Sequence, residues 1–420
     1  MMKKDALRLF AIIFFCLPAL LFAQQTPNLG CDGSRYKNNT FTTVKKTTVD
    51  YAPTVSHTGL AIVLKMDVYE PQDDPAEARP VIILAHGGSF IFGDKSMMQS
   101  WCELLAQKGY VAASIQYRIY PVFTLGFPDS VDIFDTAIKA VGDMKAAVRY
   151  FREDAATANI FRVDPNNIFI GGYSAGAVAA LHAAYLDAND DIPAFMESIL
   201  SSNGGLEGVS GSASNHTYSS SSKAVANMSG GLYRSYWVDA QGVPLVSIHG
   251  TADETVPYTS GIAADIAYLE GSSLVHQSAE SAGIWNYLET VPGGGHSDIY
   301  DDPAFSTYLN SFIVHATDLL ESLVCTSTDT KDVFPADDPD YWTLGPNPSA
   351  GASVYCFLPV DLANAQMRIV DMSGRTIAQA DVTDGGLVPM KDLSPGIYQV
   401  YITNPDQPAK TYPVRQLVRQ

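Results

Sequence analysis

The sequence predicts an α/β fold, a mostly parallel sheet covered by helices, followed by a small all-β sandwich. Three observations carry this. From about residue 40 to 320, short runs rich in Val and Ile alternate with longer helical stretches. The chain has 420 residues, of which 46% are hydrophobic and 17% charged, enough for a large core and about two domains. Beyond residue 343 the helical pattern gives way to short alternating strands.

Residues 1–23 read as a secretory signal. Lys3 and Lys4 precede an apolar run from Leu9 to Phe22, and small Ala23 offers a cleavage point before Gln24. The run is short for a bilayer span. Cys16 lies inside it with no small residue before it, so it does not read as a lipid-attachment cysteine. Residues 24–325 are expected to form the first domain. "VIILA" (81–85), "YVAASIQY" (110–117), "IFIGGY" (168–173), "AVANMSG" (224–230) and "PLVSIHG" (244–250) read as strands. Val131, Phe134, Ile138, Val141, Met144, Val148 and Phe151 make one apolar helix face between two of them. Repeated strand–helix–strand units imply parallel pairing with both faces covered.

The stretch 201–222, rich in Ser, Gly and Asn, reads as a long surface loop at the sheet edge away from the strand C-termini, and so not as a lid. Only residues 231–243 separate the next two strands, too few for an inserted helical cap. Residues 326–343, acidic and aperiodic with two prolines, read as a linker. In 344–420, "MRIVDMSGRTIAQADV" reads as two strands around Ser373-Gly374, and "GIYQVYI" (396–402) alternates again.

A net charge of −19 argues against nucleic acid, whose phosphates need a basic face. Once a signal is removed, Cys31, Cys102, Cys325 and Cys356 remain, and three pairings are possible. Cys31 with Cys102 is the expected pair, since both are read into the first domain. No CxxC or His/Cys cluster marks a zinc site, and no metal or cofactor is expected.

The chemistry centres on "GGYSAGA" (171–177). Gly172-Tyr173-Ser174-Ala175-Gly176 fits G-x-S-x-G directly after a strand and before an Ala-rich helix, the context this pattern requires. The sharp turn lifts the Ser174 hydroxyl into a site, and the helix N-terminus favours negative charge beside it. A serine hydroxyl needs a base, and the expected chain order is serine, acid, histidine. "HGTADETVPY" (249–258) puts Asp253 just past a strand, and "VPGGGHSD" (291–298) puts His296 on a glycine-rich loop. Glu254 and Asp298 are alternatives for the acid. His57, His216, His276 and His315 lack matching context, His182 lies within a helix, and His249 reads as a structural turn residue. Acyl transfer also needs N–H donors for an oxyanion. Gly87 and Gly88 in "HGGSF", with Ala175 after the serine, are the candidates, and His86 is expected to shape the loop.

With these pieces in place, residues 60–300 resemble the α/β-hydrolase fold, and within it carboxylesterases and lipases with a His-Gly-Gly loop. They are similar to secreted feruloyl and acetyl-xylan esterases through "KMDVYEP" (65–71), "HGGSFIFGDK" (86–95), "QKGYVAASIQYRIYP" (107–121), "VDPNNIFIGGYSAGA" (163–177), "HGTADETVPY" and "GGGH". The segment 187–223 is longer than in a minimal member. The resemblance implies a serine esterase acting through an acyl-enzyme, on an ester that could be borne by a plant polysaccharide. A prolyl-oligopeptidase-type peptidase would use the same triad, and a binding or adhesion protein on a hydrolase scaffold is the reading from another class. The tail resembles a type IX secretion sorting domain through "LGPNPSAG" (344–351), "IVDMSGRTIAQ" (369–379), "LSPGIYQVYI" (393–402) and the basic end with Arg415 and Arg419. That implies a partner in the type IX machinery and a secreted or cell-surface protein.

Overall fold

The computed structural model describes Cys31, residues 33–325 and, beyond them, 343–345, 353–358, 362, 364–371, 375–383, 386–390, 393–405, 410, 412 and 415–419. The signal reading for 1–23 and nearly all of the 326–343 linker lie outside these residues. The chain divides into two compact units, Met1–Cys325 and Thr326–Gln420.

The first unit opens with β1 (Val44–Val55), β2 (Ala61–Pro71), β3 (Arg79–Ala85), α1 (Gln99–Gln107) and β4 (Val111–Ile115). A short α2 (Val122–Leu125), α3 (Ser130–Ala156), β5 (Val163–Tyr173), α4 (Ala175–Tyr185) and α5 (Ala194–Ser202) follow. Then come β6 (Val225–Met228), β7 (Gly231–Leu232), β8 (Leu245–Gly250), β9 (Ser260–Ala263), β10 (Ala267–Gly271), α6 (Ser272–Ser281), β11 (Asn286–Val291) and α7 (Ser306–Cys325). Eight strands form one sheet in the order β1-β2-β4-β3-β5-β6-β8-β11. β1 and β2 pair antiparallel, β2 meets β4 antiparallel, and every later pairing is parallel. This order is that of an α/β-hydrolase fold. Its central strands need no alternation because both faces are covered: all seven residues of β3 and all five of β4 are buried. One face packs on α3 and α4 through Ile83, Val148, Phe151 and Leu181. The other packs on α1 and α7 through Ile82, Leu84, Phe312 and Leu320.

The apolar face read between residues 131 and 151 belongs to α3. Asp129 starts this helix by accepting the N–H groups of Val131 and Asp132, while the Asp132 carboxylate accepts the N–H of Asp129. The later part of α3 holds the segment read as a long surface loop, which is largely exposed but runs along a fixed path. Arg149 bonds Asn215 Oδ1 at 2.9 Å and Glu207 Oε2 at 2.6 Å. Asp143 joins Arg118 and Ser210, and Ser210 and Asn215 are buried. Gly142 and Gly208 touch so closely that a Cβ on Gly208 would stand 2.6 Å from the Gly142 Cα. Polar side chains fasten this segment to buried charges, so it carries no apolar period for the sequence to display.

The expected Cys31–Cys102 bridge is wrong. Cys31 is bonded to Cys325, 294 residues away. Cys102 is a fully buried thiol of α1. The N-terminal segment runs beside α7, where Lys37 lies 3.1 and 3.3 Å from Asp318 and Glu321, and this brings Cys31 to the end of that helix.

In the second unit, β12 (Thr343–Gly345), β13 (Ser353–Phe357) and β16 (Gly386–Pro389) form one antiparallel sheet. β14 (Asn364–Asp371), β15 (Thr376–Thr383), β17 (Gly396–Thr403) and β18 (Arg415–Arg419) form another, in the order β15-β14-β17-β18. In β14, Ala365, Met367 and Ile369 point into a core shared with Cys356, Val388, Val400 and Leu417. At the β14–β15 hairpin, Asp371 accepts hydrogen bonds from the N–H and Nε of Arg375.

Candidate active site

β5 ends at Tyr173 and α4 begins at Ala175, which leaves one residue to reverse the chain. Ser174 does this at φ 54°, ψ −121°, a conformation costly for any side chain. Its N–H donates to the Met228 carbonyl at 2.8 Å, which helps hold the strain. The flanking glycines are steric necessities. A Cβ on Gly172 would stand 2.4 Å from the Gly176 carbonyl carbon, and one on Gly176 would stand 2.1 Å from the Ala85 oxygen.

His296 reaches this serine from the loop after β11. Its Nε2 lies 2.8 Å from Ser174 Oγ, and its Nδ1 lies 2.7 Å from Asp253 Oδ2. The ring stacks on Tyr173 at 5.2 Å, and the Tyr173 hydroxyl donates to the His296 carbonyl at 3.2 Å. Burial and nearby carboxylates push that phenol up to about 12, so it remains a donor. Burial alone would raise the Asp253 pKa. Hydrogen bonds from His249 and His296, with the Val256 N–H, instead hold it well below the usual carboxylate range. Asp253 is therefore a carboxylate at neutral pH. The alternative acids stand elsewhere: Asp298 accepts the Gly295 N–H at 2.7 Å, and Glu254 is exposed.

The "HGGSF" turn follows β3 and lies against the serine. A Cβ on Gly87 would be 2.8 Å from the Tyr173 ring and 3.2 Å from Ser174 Cβ. Gly88 has φ +117°, and a Cβ there would strike the Phe92 carbonyl oxygen at 2.4 Å. The Gly88 carbonyl accepts from Ile91 and Phe92, and among the described residues no backbone carbonyl takes the Gly88 N–H. Ala175 adds the first N–H of α4. His86 is fully buried, stacked on Tyr117 at 4.3 Å, and its Nδ1 donates to the Gly87 carbonyl at 2.7 Å. Burial lowers its pKa, so this ring is neutral and shapes the turn.

Ser174 and Ala175 open onto an apolar cavity of about 70 Å³. Ile133 and Ile138 of α3, Val178 of α4, and Ala267 and Leu269 of β10 line it. Sequence reading gave the 187–223 segment no place beyond putting 201–222 at the sheet edge, and its α5 sends Met196 into this wall. It also missed the β9–β10 hairpin, which pairs with β7 in a three-stranded sheet and closes the cavity. His182 lines the cavity too, with its Nε2 accepting the Tyr233 N–H at 3.1 Å. Between β6 and β8 lie the two-residue β7, one 3₁₀ turn at Ser235–Trp237 and loop, with no inserted helical cap.

One histidine taken for a turn residue is part of the site. His249 is in β8, fully buried, and its Nε2 lies 3.1 Å from Asp253 Oδ2. The signal was its position four residues before the acid, at the end of a strand whose inward face alternates Ser247 and His249. Among the described residues, no group of three His, Cys, Asp or Glu side chains is arranged to hold a metal ion. A nucleophile, a base, a carboxylate and N–H donors around one cavity suit acyl transfer.

Residues 66–265 match the BD-FAE family model. Esterase-5C of Drosophila miranda is 29% identical over 129 residues, 30% of this chain and 22% of that protein. Esterase B1 of Culex pipiens is 30% identical over 131 residues, 31% of this chain and 23% of that one. The chain thus spans less than a quarter of the length of either curated relative. Thermogutta terrifontis esterase 2 phosphorylated by paraoxon is 22% identical, with 67% of this chain and 95% of that one covered at a TM-score of 0.47. The match to BD-FAE begins in β2 and runs past Ser174 and Asp253, so the strand-to-helix elbow and the acid both lie within the stretch similar to that family.

Proposed function

We propose that the protein is a serine hydrolase of carboxylic esters. The observation that carries this reading is the unbroken chain Ser174 Oγ–His296 Nε2, His296 Nδ1–Asp253 Oδ2 at 2.8 and 2.7 Å, beside an apolar cavity. In the proposed reaction Ser174 attacks the ester carbonyl as His296 takes its proton. The N–H groups of Gly87, Gly88 and Ala175 hold the oxyanion. His296 then protonates the leaving alcohol, and an acyl-enzyme remains. Water, deprotonated by His296, then attacks the acyl-enzyme, and His296 returns the proton to Ser174 Oγ as the acid leaves. Asp253 keeps the imidazole in the Nδ1–H tautomer and offsets its positive charge.

The cavity supports a small acyl group. Its volume of about 70 Å³ is under half of the roughly 150 Å³ that accommodates benzene. An acetyl group fits better there than a feruloyl ring, which favours the acetyl-xylan over the feruloyl reading. The absence of a helical cap between β6 and β8 suits an ester carried on a polysaccharide. Hydrolysis of p-nitrophenyl acetate, butanoate and octanoate, methyl ferulate and acetyl-xylan by the parent and by Ser174→Ala tests this reading. Turnover of acetyl esters by the parent alone is expected. An inert parent, or equal rates in both, overturns the enzymatic reading, and preference for methyl ferulate overturns the acetyl one.

Export rests on the sequence of residues 1–23, and the sorting role on the tail motifs with the Asp371–Arg375 hairpin. Deleting residues 344–420 in the native host is expected to retain the protein inside the cell envelope. Unchanged release would remove that part of the proposal.

A further inference from the structure

The Asp253 carboxylate is held by two imidazoles, and the second is the end of a buried polar chain. Asp253 Oδ1 accepts the N–H groups of Thr255 and Val256, each at 2.8 Å. Oδ2 faces His296 Nδ1 and His249 Nε2 together. His249 Nε2 also faces the Val256 carbonyl at 3.0 Å, so both of its neighbours are acceptors and Nε2 must carry a proton. Its Nδ1 lies 2.7 Å from Ser272 Oγ.

The protons of this chain can be assigned from one fixed point. The Gly230 N–H donates to Asn227 Oδ1 at 2.9 Å, which orients that amide. Asn227 Nδ2 then donates to Ser272 Oγ and to Ser247 Oγ, both at 2.9 Å. Ser272 Oγ thus accepts through one of its two lone pairs, and its single O–H is directed to His249 Nδ1, at 2.7 Å a much shorter partner than the Gly230 carbonyl at 3.3 Å. Ser247 donates in turn to His276 Nε2 at 2.7 Å, and His276 Nδ1 donates to Asn286 Oδ1 at 2.7 Å. Asn227, Ser247, His249 and Ser272 are all completely buried. Such a chain is expensive unless every member is satisfied, and here every member is.

We propose that His249 is a positioning residue for the reaction: a neutral Nε2–H imidazole, held in that tautomer by Ser272 and Asn227, that shares the Asp253 Oδ2 with His296. The proposal rests on the esterase reading of the same site. Its consequence is electrostatic. By donating to Oδ2, His249 draws off part of the charge that His296 feels. Without that donor the carboxylate would stabilise a protonated His296 more strongly, and the base would be available only at higher pH. The other ionisable groups near Asp253 and His296 are Tyr173 of β5, Tyr300, Asp298 and Asp301 of the loop after β11, Glu254 beside the acid, His182 of α4 and His276 of α6. All remain in a His249 variant, so they cancel in a comparison with the parent.

The test is the pH profile of kcat/KM on p-nitrophenyl acetate for the parent, His249→Leu and His249→Gln. His249→Leu is expected to move the acid limb up by about half a pH unit or more. His249→Gln, which keeps an N–H donor at that end, is expected to restore most of the shift. An unmoved limb in a folded His249→Leu, or a rate loss with no shift, overturns the proposal. Nitrogen NMR of the ¹⁵N-histidine-labelled parent needs neither a variant nor a substrate. It is expected to show His249 protonated at Nε2 and bare at Nδ1 at pH 7, and the opposite tautomer overturns the proposal. A parent that cleaves no ester would sink the esterase reading, while the NMR result would still decide the role of His249 at Asp253.

Discussion

A β-carbon added to Gly176 would stand 2.1 Å from the carbonyl oxygen of Ala85. The helix behind the nucleophile is thus pressed onto the end of β3, and the oxyanion turn begins at the next residue. Gly176→Ala must push α4 away from β3, which moves both Ala175 and the Gly87–Gly88 segment. We expect it to destabilise the unit by about 1–3 kcal/mol or more, in the range of overpacked interiors. Urea unfolding would read the loss, and a variant as stable as the parent would show that the helix has slack.

At the acid, Asp253→Asn keeps the shape but puts either its amide oxygen or its NH₂ where two N–H donors converge. It is expected to lower kcat on p-nitrophenyl acetate about 10⁴-fold near pH 7, because the amide favours the wrong His296 tautomer. Glu254→Gln and Asp298→Asn, the two alternatives raised by sequence, are expected to change it less than about tenfold. If Asp298→Asn proves as damaging as Asp253→Asn, the assignment of the acid is wrong.

Much of this site was readable because its chemistry leaves short, local traces. The elbow needs glycines at fixed offsets around Ser174, and the oxyanion turn needs them after His86. Asp253 and His296 each follow a strand, which is where a sheet of this order gathers its loops. What escaped was specified by distant partners. Nothing near Cys31 names Cys325, since the pairing depends on how α7 returns across the sheet. His249 looks like any strand-ending residue until Ser272 and Asn227 are brought to it by α6 and β6. The 204–217 segment hides its fixed path because Arg149 and Asp143 hold it through polar groups.

The cavity wall should control acyl length. Ala267 of β10 lines the space beside Ser174, so Ala267→Leu would fill part of its 70 Å³. Acetyl turnover is expected to survive, while kcat/KM for butanoate falls roughly tenfold or more relative to acetate, the discrimination typical of one to two methylenes. Equal losses for both esters would mean that the acyl group lies elsewhere.

Buried histidines make the fold acid-sensitive. Burial lowers His182 and His276 to about 4 from the ordinary 6.5. Their folded pKa values lie below the unfolded ones, so between about pH 6.5 and 4 the unfolded chain binds protons that the folded one refuses. Stability is therefore fully present above 6.5 and declines as pH falls to 4, by up to about 3 kcal/mol for each residue. Asp253 acts in the adjoining window: its depressed pKa adds stability that is present above about 4 and lost below it. Urea midpoints between pH 7.5 and 4.5 would show the decline, and His276→Gln should flatten it. A midpoint independent of pH would refute this account.

The Cys31–Cys325 bond closes nearly the whole first unit into one loop. Both cysteines lie at least partly exposed, so a reductant can reach the bond. Cross-links that close long loops restrict the unfolded chain most, and native bonds of this kind contribute about 2–5 kcal/mol. The ion pairs from Lys37 to Asp318 and Glu321 sit on the same helix but are partly exposed, and contribute little by comparison. The double variant Cys31→Ser/Cys325→Ser is expected to unfold at lower urea and lower Tm, and to become indifferent to dithiothreitol. Its kcat at 25 °C should match the parent, because neither cysteine touches the site. The reduced parent should fall to the same midpoint as the variant. If reduction leaves the parent unchanged, the bond does not hold the N-terminal segment to α7, and the fold relies on the packing of that helix alone.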